Sequence, residues 1–552
     1  MYKKPFALGV ILLFLLSSLI SVSSSYETID EDGTLSGYVT DSAMNPIEGA
    51  IVRVSFHETY EENYTDTSGY YHVTNIPICY CLKNATVSKK GYRSEYVLLS
   101  INETTIHSFV LTPLGKTLYV GGSGPNNYSS IQDAIDNASD GDAVFVYDGI
   151  YCENVVVNKV GLFLQGEDKF NTIIDIERTA DDAVVISAEG VTFQGFTVTN
   201  ARNKDEVIWD QSGIEIYSSN VTVKESIISN NRLGLMTYTS AHNLTICDNL
   251  FFYDGFFPGN YLLSNDIPQE SLFLNVSNNT VNDKPLYYFQ NIHDDVIDSG
   301  AGQVILVNCT NVTIKNMYLT YTDFSIMLYY CSNCVIENSI VEDTDGEVIL
   351  FYSENNTIQN ITAINSMHGI CLDIGSKNNT VRYNEVYGNY VGISVITSCS
   401  GNRIYGNKIH DNNWGVKITS YSKNSPSHDN IVYENEVYEN TIGIKIAATF
   451  GDPSYSTYNN TIMSNNFLKN SIGIQLYLSE RNAIKNNNFE RNSVSAAFLD
   501  CSYNTWQNNY WNRPRILPKI ILGYETIDGI PIPWVNVDRH PAQEPFDIPD
   551  VI

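Results

Sequence analysis

The sequence predicts an all-β chain, a parallel β-helix solenoid preceded by a small antiparallel β-sandwich, and three observations carry the prediction. Much of the chain repeats a unit of 22 to 30 residues, set by apolar residues at Ile314, Ile336, Ile358, Val381, Ile404, Val432, Ile462, Ile484 and Trp506. Asparagine and glycine recur at fixed places within the unit, beside residues of strictly alternating polarity. Length varies only outside that fixed span, as expected of a solenoid whose insertions collect at one corner.

The elements follow in chain order. Residues 1–25, MYKKPFALGVILLFLLSSLISVSSS, begin with Lys3 and Lys4, continue with an apolar run and end in small residues. This is the layout of a secretory signal peptide, with an uncleaved N-terminal anchor as the alternative. The expected location is extracellular or cell surface.

Residues 33–113 alternate in polarity between Asn-Pro, Ser-Gly and Lys-Gly turns, the pattern of a small antiparallel sandwich. The stretches GYVTD, NPIEGAIVRV and TDTSGYY resemble the carboxypeptidase regulatory-like (transthyretin-like) domain. That resemblance implies a folded accessory module without catalytic residues of its own.

From Lys116 a short amphipathic helix is expected, with Ser129 and Gln132 as a capping box, Ile131, Ala134, Ile135 and Ala138 as its apolar face, and Gly141 as its stop. Such a helix covers the open edge of a solenoid. The coils that follow, to residue 511, make short strands that pair in parallel one coil away. Counting from the apolar zero position, asparagine stands at minus two (Asn356, Asn379, Asn402, Asn430, Asn460, Asn482, Asn504) and plus three (Asn384, Asn407, Asn435, Asn465, Asn487, Asn509). These columns are expected to supply left-handed corners and a side-chain hydrogen-bond ladder. The block from Lys116 to Trp511 resembles the pectin-lyase-like right-handed parallel β-helix proteins and the NosD-like and CASH (carbohydrate-binding/sugar-hydrolysis) repeat families. The resemblance implies fold more than function, because this fold carries lyases, hydrolases, epimerases, adhesins and scaffolds.

Regularity lapses between about Gly255 and Gly302, where the insertions either line a binding face or pack over the flank. Residues 512–552 are rich in proline and are expected to cap the solenoid without adding rungs.

A net charge of -30, from 62 acidic and 32 basic residues, argues against nucleic-acid binding and anionic membrane surfaces. Cys309, Cys331, Cys399 and Cys501 share the minus-five column with serine and threonine and read as inward fillers; Cys309 and Cys331 also stand where a bridge could form. CYC at Cys79–Cys81 and CSNC at Cys331–Cys334 are weak zinc signals.

Three function classes have candidate residues. An enzyme acting on polysaccharide, such as a glycoside hydrolase, lyase or epimerase, would use Asp343, Asp345 and His368, although the paired-Asp, Gly-His-Gly and Arg-x-Lys motifs of polygalacturonases are absent. Asp323 and Asp345 occupy one column, so their α-carbons should lie about 4.8 Å apart. With Asp343 they form the candidate metal site, for which calcium is the fitting cation. A non-catalytic scaffold binding polysaccharide or envelope glycan would use Tyr405, Tyr433, Tyr387, Trp414 and Tyr438, rings with polar tips near one surface. Copper handling is implied by the NosD resemblance alone, since the 7 methionines are scattered without a Met-x-x-Met spacing. Of the three, the sequence favours the glycan-binding scaffold.

Overall fold

The computed structural model describes residues 32–549, apart from 57–58, 79–81, 178–181, 203–210, 261–265, 345, 424, 450–451 and 528–529. The expected signal segment, Cys79, Cys81 and Asp345 therefore lie outside the described residues. The chain divides into two compact units, Met1–Leu114 and Gly115–Ile552.

In the first unit, Asp32–Asp41 pairs antiparallel with Tyr70–Pro77, and Ile51–Phe56 pairs antiparallel with Thr59–Tyr64 and Lys83–Ser88. Their alternating apolar residues, including Leu35, Val39, Val52, Val54, Val73 and Val87, make one core. The turn at Asp66 is closed by its own carboxylate, which accepts the Ser68 and Tyr70 N–H groups at 2.8 and 3.0 Å.

The second unit opens with the helix Ile131–Asp136, whose Ile131, Ala134 and Ile135 are buried. Its cap is Ser130, one residue later than the sequence suggests, and Gln132 is not the reciprocal partner. Instead Glu153 reaches back from a later loop and accepts from Ser130 Oγ, Ile131 N and Gln132 N at 2.8, 2.8 and 2.9 Å. A carboxylate suits this helix end, where unpaired N–H groups collect.

Up to Asn260 each coil contributes to three parallel sheets, represented by Ala143–Val146, Gly149–Tyr151 and Val155–Val157. The arrangement changes at the hairpin between Thr280–Val281 and Lys284–Gln290, where Asn282 and Asp283 both take positive φ, 50° and 63°. Two left-handed residues in succession make the tight turn that an antiparallel hairpin needs. Beyond it each coil has two sheet faces. One, the outer-strand sheet, runs through Gln303–Val307, Phe324–Tyr329, Gly346–Phe351, His368–Asp373, Val391–Val395, Trp414–Ile418 and Ile442–Ala447. The other, the corner sheet, holds the short strands around each zero position, such as Thr380–Arg382 and Glu385–Tyr387.

The irregular stretch packs over the flank. Phe256 exchanges hydrogen bonds with the Gln303 side chain at 3.0 and 2.9 Å, and the carbonyls of Pro258, Leu272 and Leu274 accept from Tyr329, Tyr288 and Gln290. It thereby buries Ile305, Met327 and Ile349 on the outward side of the first strands after the switch.

Inside the later coils the zero-position residues stack in a dry column from Ile314 to Trp506, and Phe467, Phe489 and Trp511 stack face to face at 4.9 and 4.5 Å. Each such buried side chain contributes roughly 1.5–3 kcal/mol relative to exposure. The minus-five cysteines are buried free thiols.

The asparagine columns do one of the two jobs expected of them. Left-handed φ falls one residue earlier, at minus three, plus two and plus seven, as at Asn378, Tyr383 and Gly388. The ladder asparagines hydrogen-bond instead. Asn407 donates its N–H and Nδ2 to Asn435 Oδ1 at 3.0 and 2.9 Å, donates Nδ2 to the Val381 and Tyr405 carbonyls, and accepts the same pair of bonds from Asn384. A third ladder runs at plus eight through Asn389, Asn412, Asn440, Asn470 and Asn492.

The proline-rich tail adds a strand after all: Lys519–Ile527 pairs in parallel with Val494–Leu499 through Phe498 and Leu499, and Ile530–Asp538 returns antiparallel to it. Asp538 then terminates the plus-three ladder. Fully buried, it accepts from Asn508 N, Asn509 N, Asn509 Nδ2 and Trp511 Nε1 at 2.9–3.1 Å.

Replacing Asn407 with Leu is expected to lower stability by several kcal/mol, because buried donors and acceptors on three coils lose their partner at roughly 1–3 kcal/mol each. The loss comes from the ladder, since Gly406 and not Asn407 holds the left-handed position. An unchanged denaturation midpoint would contradict this.

Candidate functional site

The corner sheet carries two outward columns on adjacent short strands. At plus one, Gln359 donates to Glu337 Oε2 at 2.7 Å, Arg382 donates through Nε and Nη2 to Gln359 Oε1 at 2.9 and 2.7 Å, and Arg382 Nη1 donates to the Tyr405 hydroxyl at 3.1 Å. Tyr405 then stacks on Tyr433, with centroids 4.8 Å apart and planes 17° apart. At plus six, Tyr387, His410 and Tyr438 form a second ladder, with centroids 4.9 and 4.6 Å apart and planes within 11°. Parallel register produces both stacks, because Tyr387, His410 and Tyr438 are direct partners on successive strands. The rings face one another, so they present edges and polar tips outward.

His410 was not singled out by sequence. Its Nδ1 lies 2.7 Å from Asp411, while Nε2, a buried atom, has no hydrogen-bond partner among the described residues and lies 3.7 Å from Glu385. Beside this ladder runs a groove of ≈ 710 Å³, lined by Glu385, Lys408, Glu436, Tyr438, Lys469 and Glu490 among others. Lys408 stands between Glu385 and Glu436 in the register, and Lys469 pairs with Glu439 at 2.8 Å. One end is closed by the tail, where Phe546 exchanges N–H and carbonyl bonds with the Asn488 side chain at 2.8 and 2.9 Å.

Trp414 belongs to the other face, on the outer-strand sheet. Lys417 Nζ and Lys445 Nζ stand 4.6 and 4.2 Å from its ring centre, and Lys417 donates to the Tyr421 hydroxyl at 2.8 Å. His368 is on the same sheet, with Nδ1 2.9 Å from Ser394 Oγ. Burial holds its imidazole down at about 4, with Lys417 adding to the effect, and burial with the neighbouring Lys445 lowers Lys417 to about 8.

The candidate acids stand in different settings. Asp323 is buried and spends Oδ2 on the Gly234 and Gly255 N–H groups, at 2.7 and 3.0 Å. Asp343 is exposed on a left-handed corner at φ 55°, and Asp345 lies outside the described residues. Thus the structure brings Tyr405 to Tyr433, sets Tyr387 and Tyr438 on either side of His410, and places Trp414 and His368 on a different sheet from the tyrosines. The basic groups around Trp414 escaped sequence reading because 417 and 445 are neighbours only through a 28-residue coil.

The family model described as "Periplasmic copper-binding protein (NosD)" matches residues 265–459 and 425–529. Among the described residues no group of three or more His, Cys, Asp or Glu side chains is placed to hold a metal ion. No curated protein matches the sequence. Similar solved structures include the A-module of the mannuronan C-5 epimerase AlgE4 from Azotobacter vinelandii, at 14% identity and TM-score 0.29, covering 65% of this chain and 98% of that one. PfbA, a surface adhesin of Streptococcus pneumoniae, is similar at 13% identity and TM-score 0.30, covering 75% and 95%. An alginate lyase from Paenibacillus sp. str. FPU-7 is similar at 10% identity and TM-score 0.22, covering 71% and 95%. The chain is a parallel β-helix protein whose residues 265–529 match the NosD family.

Proposed function

We propose that this protein is an exported β-helix scaffold that binds polysaccharide or envelope glycan along the corner sheet. The observation that carries the reading is the Tyr387–His410–Tyr438 ladder beside the polar groove. Ring edges offer apolar contact, while tyrosine hydroxyls and alternating Glu and Lys offer donors and acceptors for sugar hydroxyls. Repetition at one coil per step suits a repeating ligand. The sequence's apolar leader supports export, and among the described residues no helix is long and apolar enough to cross a membrane.

A catalytic reading has one specific observation in its favour. His368, Ser394, Lys417 and Tyr421 gather proton-transfer groups on the outer-strand sheet, two of them with lowered affinity for protons. Calcium at Asp323, Asp343 and Asp345 belongs to this second reading as the third candidate site.

A glycan array combined with product analysis separates the readings. The scaffold predicts binding without new reducing or unsaturated ends, weakened about tenfold by Tyr438→Ala, which corresponds to loss of about 1.4 kcal/mol. Cleavage or epimerisation of the bound glycan would replace the scaffold by the enzyme. Separately, the His368 imidazole is expected to titrate near pH 4. Because its folded value lies below the ordinary 6.5, the unfolded chain takes up the proton first, and stability falls as pH drops from about 6.5 towards 4. His368→Gln should lose less stability over that window; an imidazole resonance titrating near 6.5 would contradict the burial argument.

A further inference from the structure

Lys417 and Lys445 are direct register partners on adjacent strands, Trp414–Ile418 and Ile442–Ala447. Adjacent strands stand about 4.8 Å apart. In a chain with 62 acidic residues, some lysines of these coils pair with carboxylates: Lys315 with Asp298, Lys423 with Asp452, Lys469 with Glu439. These two do not. Among the described residues no carboxylate lies within 4.0 Å of either ammonium, and both are held by rings, with Trp414 facing both and Tyr421 accepting from Lys417. Two like charges on a partly buried face repel each other and lose hydration. Removing one charge or adding an anion relieves that cost.

The surroundings favour the anion. An ammonium carries three donors; Lys417 spends one on Tyr421, and Lys445 has no hydrogen-bond partner among the described residues. Tyr390, exposed, leans on Trp414 with centroids 5.0 Å apart and planes 53° apart, which places an apolar edge beside the charged pair. The whole-chain charge of -30 repels a polyanion at long range but leaves a single oxyanion group to the local field.

We infer that Lys417 and Lys445 form an oxyanion site on the outer-strand sheet, taking the isolated acidic substituent of an otherwise neutral glycan, with Tyr390 against the sugar ring. The site lies on a different sheet from the tyrosine ladders. It shares with the glycan reading only the class of ligand.

The test uses the full chain, tryptophan fluorescence or calorimetry, and three probes: methyl glucuronide, methyl glucoside and inorganic sulfate. Methyl glucuronide is expected to bind at least about tenfold tighter than methyl glucoside, as one charge-assisted contact is worth roughly that ratio. Lys445→Gln, a change at a half-buried surface position, should weaken the glucuronide by a similar factor, and sulfate should displace it from the parent. The sulfate competition needs no variant, so it reads the site even if Lys417→Gln or Lys445→Gln disturbs folding. Equal binding of glucuronide and glucoside, unchanged glucuronide binding in a folded Lys445→Gln, or failure of sulfate to compete would overturn the proposal. Loss of polysaccharide binding at the ladder leaves these measurements readable, so the two proposals fail separately.

Discussion

An amide that bonds to its own counterpart one coil away is the constraint on which the later coils depend. Within each ladder an interior asparagine such as Asn407 receives a backbone N–H and an Nδ2 from the previous coil, passes the same pair forward, and ties Nδ2 back to a carbonyl behind it. A corner with an inward-turned backbone would otherwise bury unpaired polar groups, each at a cost of roughly 1–3 kcal/mol. Three ladders therefore allow corners at minus two, plus three and plus eight, and leave the residue before each free to take a left-handed turn. That division of labour tolerates Glu434, Lys469 and Arg491 at left-handed positions, where their charges stay in water. It also explains why chain length varies between ladders and not across them.

Fixed corners bring outward side chains of successive coils into register. Register alone stacks Tyr387, His410 and Tyr438, and register alone puts Lys417 beside Lys445. The solenoid thus turns sequence periodicity into one-dimensional arrays of rings and charges, with a chemical step at every coil. Two faces result, one aromatic and polar, the other aromatic and cationic. The tail closes one end of the first through Phe546 and terminates an amide ladder through Asp538, so the proline-rich segment serves both as cap and as wall of the groove.

Much of this was legible in the sequence because a solenoid writes its geometry as a period. The zero column, the minus-two and plus-three asparagines, the inward cysteines and the tyrosine pairs all follow from counting. What counting missed has physical reasons. The left-handed corner lies one residue before the ladder asparagine, and both positions are often Asn, as at Asn378 and Asn379, so composition cannot separate them. The helix cap depends on Glu153, whose distance in sequence hides it. The change from three sheets to two rests on a single hairpin at Asn282 and Asp283. Asp323 looked like a surface acid on a repeat column, but it is buried and accepts backbone N–H groups from Gly234 of an earlier coil and from Gly255. Lys417 and Lys445 were apart in sequence by a coil of unusual length.

The central claim is that the amide ladders couple neighbouring coils into one cooperative array. Hydrogen exchange along the full chain of Asn435→Ala measures it most directly. The account predicts faster exchange at the ladder amides of Asn384, Asn407 and Asn465 as well as at residue 435, spreading to coils on both sides of the substitution, since stability in a solenoid is set by nearest-neighbour interfaces. Acceleration confined to the substituted coil, with Asn407 and Asn465 as protected as in the parent, would contradict it.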